Sequence, residues 1–250
     1  MVSTHYGGEV ELLRSHYKGL PNDESLVAFV DESYRLPGEA KPGESPFYTM
    51  TAVLLRRKDL LGTREDLTRI ADGDYWHTVE FAQRAEGRDK IADMLDYLAS
   101  YKDTCVISVH SSLGTEGDAK SMRQACLHTL VVALAGSGPD EGVTWSPVSM
   151  FVLERQRAIK DADRDLYTIK QARRRGLVPR HTIVKHVSPA IEHLLWLPDM
   201  VSHTYRRYIT HGDQQVLRLD DQTVTLEASG GTSDPLGAAA YHQGVSSQFP

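Results

Sequence analysis

The sequence predicts an α/β fold: three layers, with a mixed sheet that has an antiparallel edge and is flanked by helices. Three observations carry this. Two apolar, β-favouring segments, Leu26 to Val30 and Phe47 to Leu55, follow one another with no helical pattern between them, so they pair antiparallel. Helical and strand patterns then alternate along the chain, which is the signature of an α/β sheet covered on both faces. Hydrophobic content is 40 % and charged content 25 % over 250 residues, enough to bury one large core.

The elements are read in order as follows. Residues 1–25 form a polar N-terminal extension, expected to be peripheral. The stretch from Arg35 to Pro46 carries Pro37, Gly38, Pro42, Gly43 and Pro46 and reads as a hairpin loop. Lys58 to Ala71 has helical spacing, and Asp74 to Thr78 reads as an edge strand. Glu80 to Ser100 is predicted to be one helix, with Ile91, Met94, Leu95 and Leu98 at i, i+3, i+4 and i+7. Thr104 to His110 is a strand, and Lys120 to Ala135 a helix stopped by Gly136-Ser137-Gly138-Pro139. Val148 to Leu153 is a strand ending at Glu154. Ala158 to Arg175 is a helix stopped by Gly176. His181 to Val187 is a strand and Pro189 to Tyr208 a long helix. Residues 26–210 are taken as one domain, without internal repeats. The remainder, 211–250, reads as a partly disordered tail with one strand at Val216 to Leu219 or Val224 to Leu226, loose from Ser229 onward.

Net charge is −6, so a generally basic surface is excluded, though a local patch is not. One stretch qualifies. Arg155, Arg157, Lys160, Arg164, Lys170, Arg173, Arg174, Arg175 and Arg180 are opposed there only by Asp161, Asp163 and Asp165. It reads either as a solvated helix face or as a surface for nucleic-acid phosphates. No apolar run approaches the ~20 residues that span a bilayer, and the first residues do not resemble a signal peptide. A cytoplasmic location without membrane contact is expected. Cys105 and Cys126 sit in apolar contexts and read as buried thiols. Leu194-Leu195-Trp196-Leu197 suits either core or a homo-oligomer interface.

Four acids stand at comparable places. Asp31 closes the run Leu26 to Val30, Glu80 stands at the start of the predicted helix, Glu154 ends a strand, and Asp199 interrupts the apolar run Leu195 to Val201. A charge at the mouth of a buried strand must be paired, protonated or bound to a cation. Each acid also has a plain structural role open to it: a solvated strand end for Glu154, a first-turn acid for Glu80, a capping group at a proline kink for Asp199. Taken together, they suit hard divalent cations, which draw several oxygen ligands from separate elements. His77 forms H-x-x-E with Glu80 and suits either positioning of a water or leaving group or packing beside Trp76. The other histidines lack a zinc spacing.

Val27-Ala28-Phe29-Val30-Asp31-Glu32-Ser33, leading through a hairpin into Thr49 to Leu55, resembles the opening of the domain-of-unknown-function family 3800, with its apolar strand and Asp-Glu-Ser-Gly box. His77-Thr78-Val79-Glu80 is similar to that family's second box, and Leu195 to Val201 to its last, of Ala-Asp-Leu type. The resemblance spans roughly residues 26 to 208 and implies a ribonuclease H-like fold, whose acids sit on the first strand, the first helix, the fourth strand and the last helix. Carried across, metal-ligand and catalytic roles fall on Asp31, Glu80, Glu154 and Asp199, with His77 assisting, Mg²⁺ or Mn²⁺ as cofactor, and Glu32 and Ser33 as supports. The implied activity is phosphodiester hydrolysis on RNA or DNA by a two-metal site. The alternative is a non-catalytic nucleic-acid or protein-binding module with a degenerate ribonuclease H-like fold. Tyr34 stands where the family has Gly, which predicts an altered turn after Asp31. Glu154 matches by position alone.

Overall fold

A computed structural model describes residues 7–41, 44–111, 119–139, 142–155, 159–228 and 241–245. At its centre lies β1 (Leu26–Arg35), antiparallel to β2 (Phe47–Arg56). β2 pairs antiparallel with β3 (Cys105–Ser111). On its other side β1 runs parallel to β4 (Val148–Glu154), which runs parallel to β5 (Ile183–Val187). Beyond β3 come β6 (Thr223–Glu227), parallel to it, and β7 (Tyr241–Gln243), antiparallel to β6. The described residues thus form a seven-stranded mixed sheet of order β5-β4-β1-β2-β3-β6-β7.

Alternation along β1 separates two cores, because successive side chains of a strand point to opposite faces. Val27 and Phe29 face α2 (Leu60–Ala71), α4 (Ala85–Tyr101) and α7 (Trp196–His211). Ala28 and Val30 face α5 (Ala119–Ala135) and α6 (Ile159–Arg174). The described residues therefore form the expected three-layer α/β arrangement. Among the described residues no helix is long and apolar enough to cross a membrane. Both cysteines are free and buried, and burial pushes the Cys126 thiol up to about 12.

Several boundaries are corrected. The N-terminal segment is not peripheral: α1 (Gly7–Lys18) places Leu13 and Tyr17 in the core. The Tyr17 hydroxyl donates at 2.7 Å to the buried Glu192, which also takes two bonds from Arg64. That cluster ties α1 and α2 to the segment before α7. The tail is part of the sheet through β6, the second of the two expected positions, and through β7. Residues 229–240 and 246–250, expected to be loose, lie outside the described set. Residues 74–77 form no strand, and the helix expected from Pro189 to Tyr208 does not start until Trp196, after a 3₁₀ turn at His193–Leu195. Pro198 therefore sits in the first turn of α7, where backbone N–H groups lack helical acceptors anyway.

The helix predicted from Glu80 is two helices. α3 (Thr78–Phe81) ends, the chain turns, and α4 starts at Ala85. Gly87 permits this: a Cβ there would collide with the Phe81 backbone carbonyl. Because the obstacle is backbone, Gly87→Ala is expected to destabilise the protein by about 1–3 kcal/mol, measured by urea unfolding. Stability within error of the parent would show that α3 and α4 separate freely.

Candidate active site

The register places Asp31 and Glu154 side by side. The last parallel pair of β1 and β4 is Val30↔Leu153, so the next residues are Asp31 and Glu154. By alternation both point to the face covered by α7, with Phe29 and Val152 beneath them. Their place at the carboxyl ends of neighbouring parallel strands is where open α/β sheets form binding crevices.

Asp199 reaches the same point from α7. It lies in the first turn, where the helix dipole favours an acid. Its Oδ2 accepts from the Thr78 backbone N–H at 3.1 Å and from the Thr78 hydroxyl at 2.8 Å. The Trp76 indole N–H donates to that hydroxyl at 2.7 Å, and Trp76 stacks on Trp196 with ring centroids 6.3 Å apart. An aromatic pair thus fixes Thr78, and Thr78 fixes the Asp199 carboxyl.

The electrostatics link the three acids: the charges of Glu154 and Asp199 act on Asp31, and that of Asp199 acts on Glu154. Burial raises the Asp31 carboxyl well above the ordinary range, reinforced by the charges of Glu154 and Asp199 and opposed by Arg123. Asp31 is only 9 % exposed, and its interaction with Glu154 further raises Asp31 while lowering Glu154. Glu154 is raised by burial and by Asp199, against that interaction and His77. Asp199 is raised by burial despite the two bonds from Thr78 and the nearby His77. Like charges this close resist ionising together.

Glu80 stands apart. It is exposed at the rim, and its link to Asp199 runs through Tyr75, whose hydroxyl is raised by lost solvation, by a bond to Glu80 and by the charges of Glu80 and Asp199. His77, also exposed, precedes α3 and acts on both Glu154 and Asp199. Tyr34 does not alter a turn, since none follows Asp31: β1 continues extended to Arg35, and Tyr34 stacks on its cross-strand partner Tyr48 at 5.3 Å.

One cluster beneath the site was not anticipated. Glu32 points to the opposite face from Asp31 and pairs with Arg123 of α5. Arg123 binds Asp165 of α6 through two nitrogens, at 2.9 and 2.7 Å, and reaches the Tyr48 hydroxyl at 3.3 Å. His186 of β5 stands 3.0 Å from Asp165. Burial alone would raise the Asp165 carboxyl, but the bonds from His186 and Arg123 hold it below its usual range. Ser33, the other expected support, accepts from the Thr49 hydroxyl through its carbonyl at 2.9 Å.

The basic stretch divides. Asp165, read as opposing it, is internal and serves Arg123. Arg155 pairs with Glu9, and Arg173 donates to the Thr182 carbonyl at 2.5 Å. Lys170, Arg174, Arg175 and Arg180 are exposed. Arg157 lies outside the described residues, and the side chains of Lys160 and Asp161 likewise.

Among the described residues, no group of three or more His, Cys, Asp and Glu side chains is disposed so that it could hold a metal ion. Asp31, Glu154 and Asp199 are hard oxygen donors from two strands and a helix, buried and raised by their surroundings. Fold and site together define an α/β protein with a buried carboxylate cluster at the carboxyl ends of its parallel strands. No family model matches the chain, and no curated protein matches it.

Proposed function

We propose that this chain is a Mg²⁺- or Mn²⁺-dependent phosphodiesterase of ribonuclease H-like fold, acting on RNA or DNA. The observation that carries the reading is the coupling of Asp31, Glu154 and Asp199 in one buried cluster. Their elements, the first strand, the fourth strand and the last long helix, are those expected from the resemblance of the Asp31 box to family 3800. Asp31, Glu154 and Asp199 would hold the ions, with Glu80 joining from the rim. When bound, such ions supply an activated water and neutralise charge on the leaving oxygen. Asp31 and Glu154, both raised by burial, would have to ionise to hold them. Thr78 keeps Asp199 oriented throughout. His77, at the mouth, is placed to carry a proton between the site and solvent. Lys170, Arg174, Arg175 and Arg180 offer exposed positive charge to a nucleic-acid backbone.

A second reading, a non-catalytic binding module, draws on the burial that raises Asp31 and Glu154 and so favours their uncharged forms, which need no cation. Incubation of the protein with Mn²⁺ and single- or double-stranded RNA and DNA tests the first reading. Cleavage is expected with Mn²⁺, absent with a chelator, and lost in Glu154→Gln and Asp199→Asn. Metal-dependent cleavage that survives Asp31→Ala rules out this site as its source.

A further inference from the structure

A cleft of about 490 Å³ opens beside the carboxylates, between the end of β1 and α7. Asp199, Ser202, His203 and Arg206 line it from the helix side. They lie at i, i+3, i+4 and i+7, so they share one face of α7. Arg206 stands about 10 Å along the helix axis from Asp199.

Most charged groups in this cleft are already engaged. Glu32 is held by Arg123. Glu39 accepts from the Leu36 backbone N–H. Arg35 is tied to Glu44 and to the Ser45 carbonyl. On α7 itself, the neighbouring Arg207 pairs with Asp213 at 2.7 Å. Three groups stand differently. The Arg206 guanidinium is exposed and makes no ion pair among the described residues. Among the described residues, Ser202 is only 1 % exposed and its Oγ has no hydrogen-bond partner. The Nε2 of His203 is likewise buried and without a partner among them. Buried polar atoms are nearly always satisfied, so two such atoms beside a free guanidinium, all lining one cleft, mark a place for a hydrogen-bond acceptor carrying negative charge.

We propose that Ser202, His203 and Arg206 form a phosphate-binding subsite that takes a phosphate of a nucleic-acid strand neighbouring the one at the carboxylates. Arg206 supplies the charge and a planar donor fork matched to phosphate oxygens. Ser202 and the neutral His203 ring supply short-range donors that fix its position. The subsite rests on the phosphodiesterase reading for its substrate class, but its binding is measurable without catalysis. The phosphate is either an internal phosphodiester, with two non-bridging oxygens, or a terminal monophosphate, with three and a higher charge; both offer anionic oxygens to the same donors.

Fluorescence anisotropy in chelator separates these cases. The probes are a short fluorescein-labelled single-stranded DNA with a phosphate at its free end and the same strand with a hydroxyl there. Arg206→Ala is expected to weaken binding roughly tenfold and to lower the slope of affinity against salt by about one. Arg206→Lys should keep the slope and lose part of the affinity, and Ser202→Ala should weaken binding by about threefold. Equal binding of both strands assigns the subsite to internal phosphates; preference for the phosphorylated end assigns it to a terminus. Absence of binding by the parent, or an Arg206→Ala variant with unchanged affinity and slope, overturns the subsite. The two readings fail separately. Arg206-dependent binding without Mn²⁺-dependent cleavage sinks the hydrolase and leaves the subsite. Cleavage with an unchanged KM in Arg206→Ala does the reverse.

Discussion

Asp31→Asn is expected to raise thermal stability at neutral pH while removing metal-dependent cleavage. Asn resembles the uncharged carboxyl that burial favours at this position, and it carries no charge into the cluster. The sign follows from linkage. Asp31 has a raised pKa in the folded protein and an ordinary one when unfolded. Between the two values the folded chain holds more protons, so stability falls as pH rises through that window. Asn is free of this penalty. The gain over the parent should be small at pH 4 and grow toward pH 8, reaching about 0.5–2 kcal/mol, or roughly 1–8 °C in Tm for a chain of this size. Burial lowers the His203 ring to about 4, which favours stability in the opposite pH direction, so the difference between variant and parent is the quantity to follow. Activity should drop by more than ~100-fold, beyond the loss typical of an outer partner of a metal ligand. A variant less stable than the parent at pH 8 would show that the acids do not strain one another.

Arg123→Ala carries the largest expected loss of stability. It leaves Asp165, which is 0 % exposed, and Glu32 without their shared cation. Removing one partner of a buried ion pair typically costs about 3–5 kcal/mol, equivalent to a Tm lower by roughly 6–20 °C. Asp165 has a depressed pKa in the fold, so its contribution is present above the ordinary carboxylate range and is lost as pH falls through the folded value. The gap between parent and variant, followed by thermal unfolding, should narrow in acid. Arg123 also opposes the rise of Asp31, so the variant should hold its Asp31 proton more tightly and bind Mn²⁺ more weakly. A variant unfolding within 2 °C of the parent would mean that Asp165 finds water or relies on His186 alone.

The sheet was legible because its strands are short apolar runs bounded by turn residues, and Asp31, Glu154 and Asp199 were legible because each interrupts or ends such a run. The break between α3 and α4 was hidden. Helical spacing continues past it, and the close approach that requires Gly87 is a tertiary contact. Glu80 lies on the short α3, before the break, and is exposed at the edge of the cluster. Arg123 carried the same signal as Asp199, a charge among Met122, Cys126, Leu127 and Leu130, and could have been found by the same reasoning. Asp165 could not, because three neighbouring acids in a basic stretch look alike until the fold buries one. α1 had a short signal, Leu13 and Tyr17 one turn apart, which its polar surroundings obscured.

Calorimetric titration of the folded protein with Mn²⁺ at neutral pH, in two buffers of different ionisation enthalpy, tests the shared carboxylate site most directly. The expected result is binding that releases protons, because the raised Asp31 and Glu154 carboxyls must ionise to take a cation, with binding abolished in Asp31→Asn. A folded protein that takes up no Mn²⁺, or an Asp31→Asn variant that binds it as the parent does, would contradict the assignment.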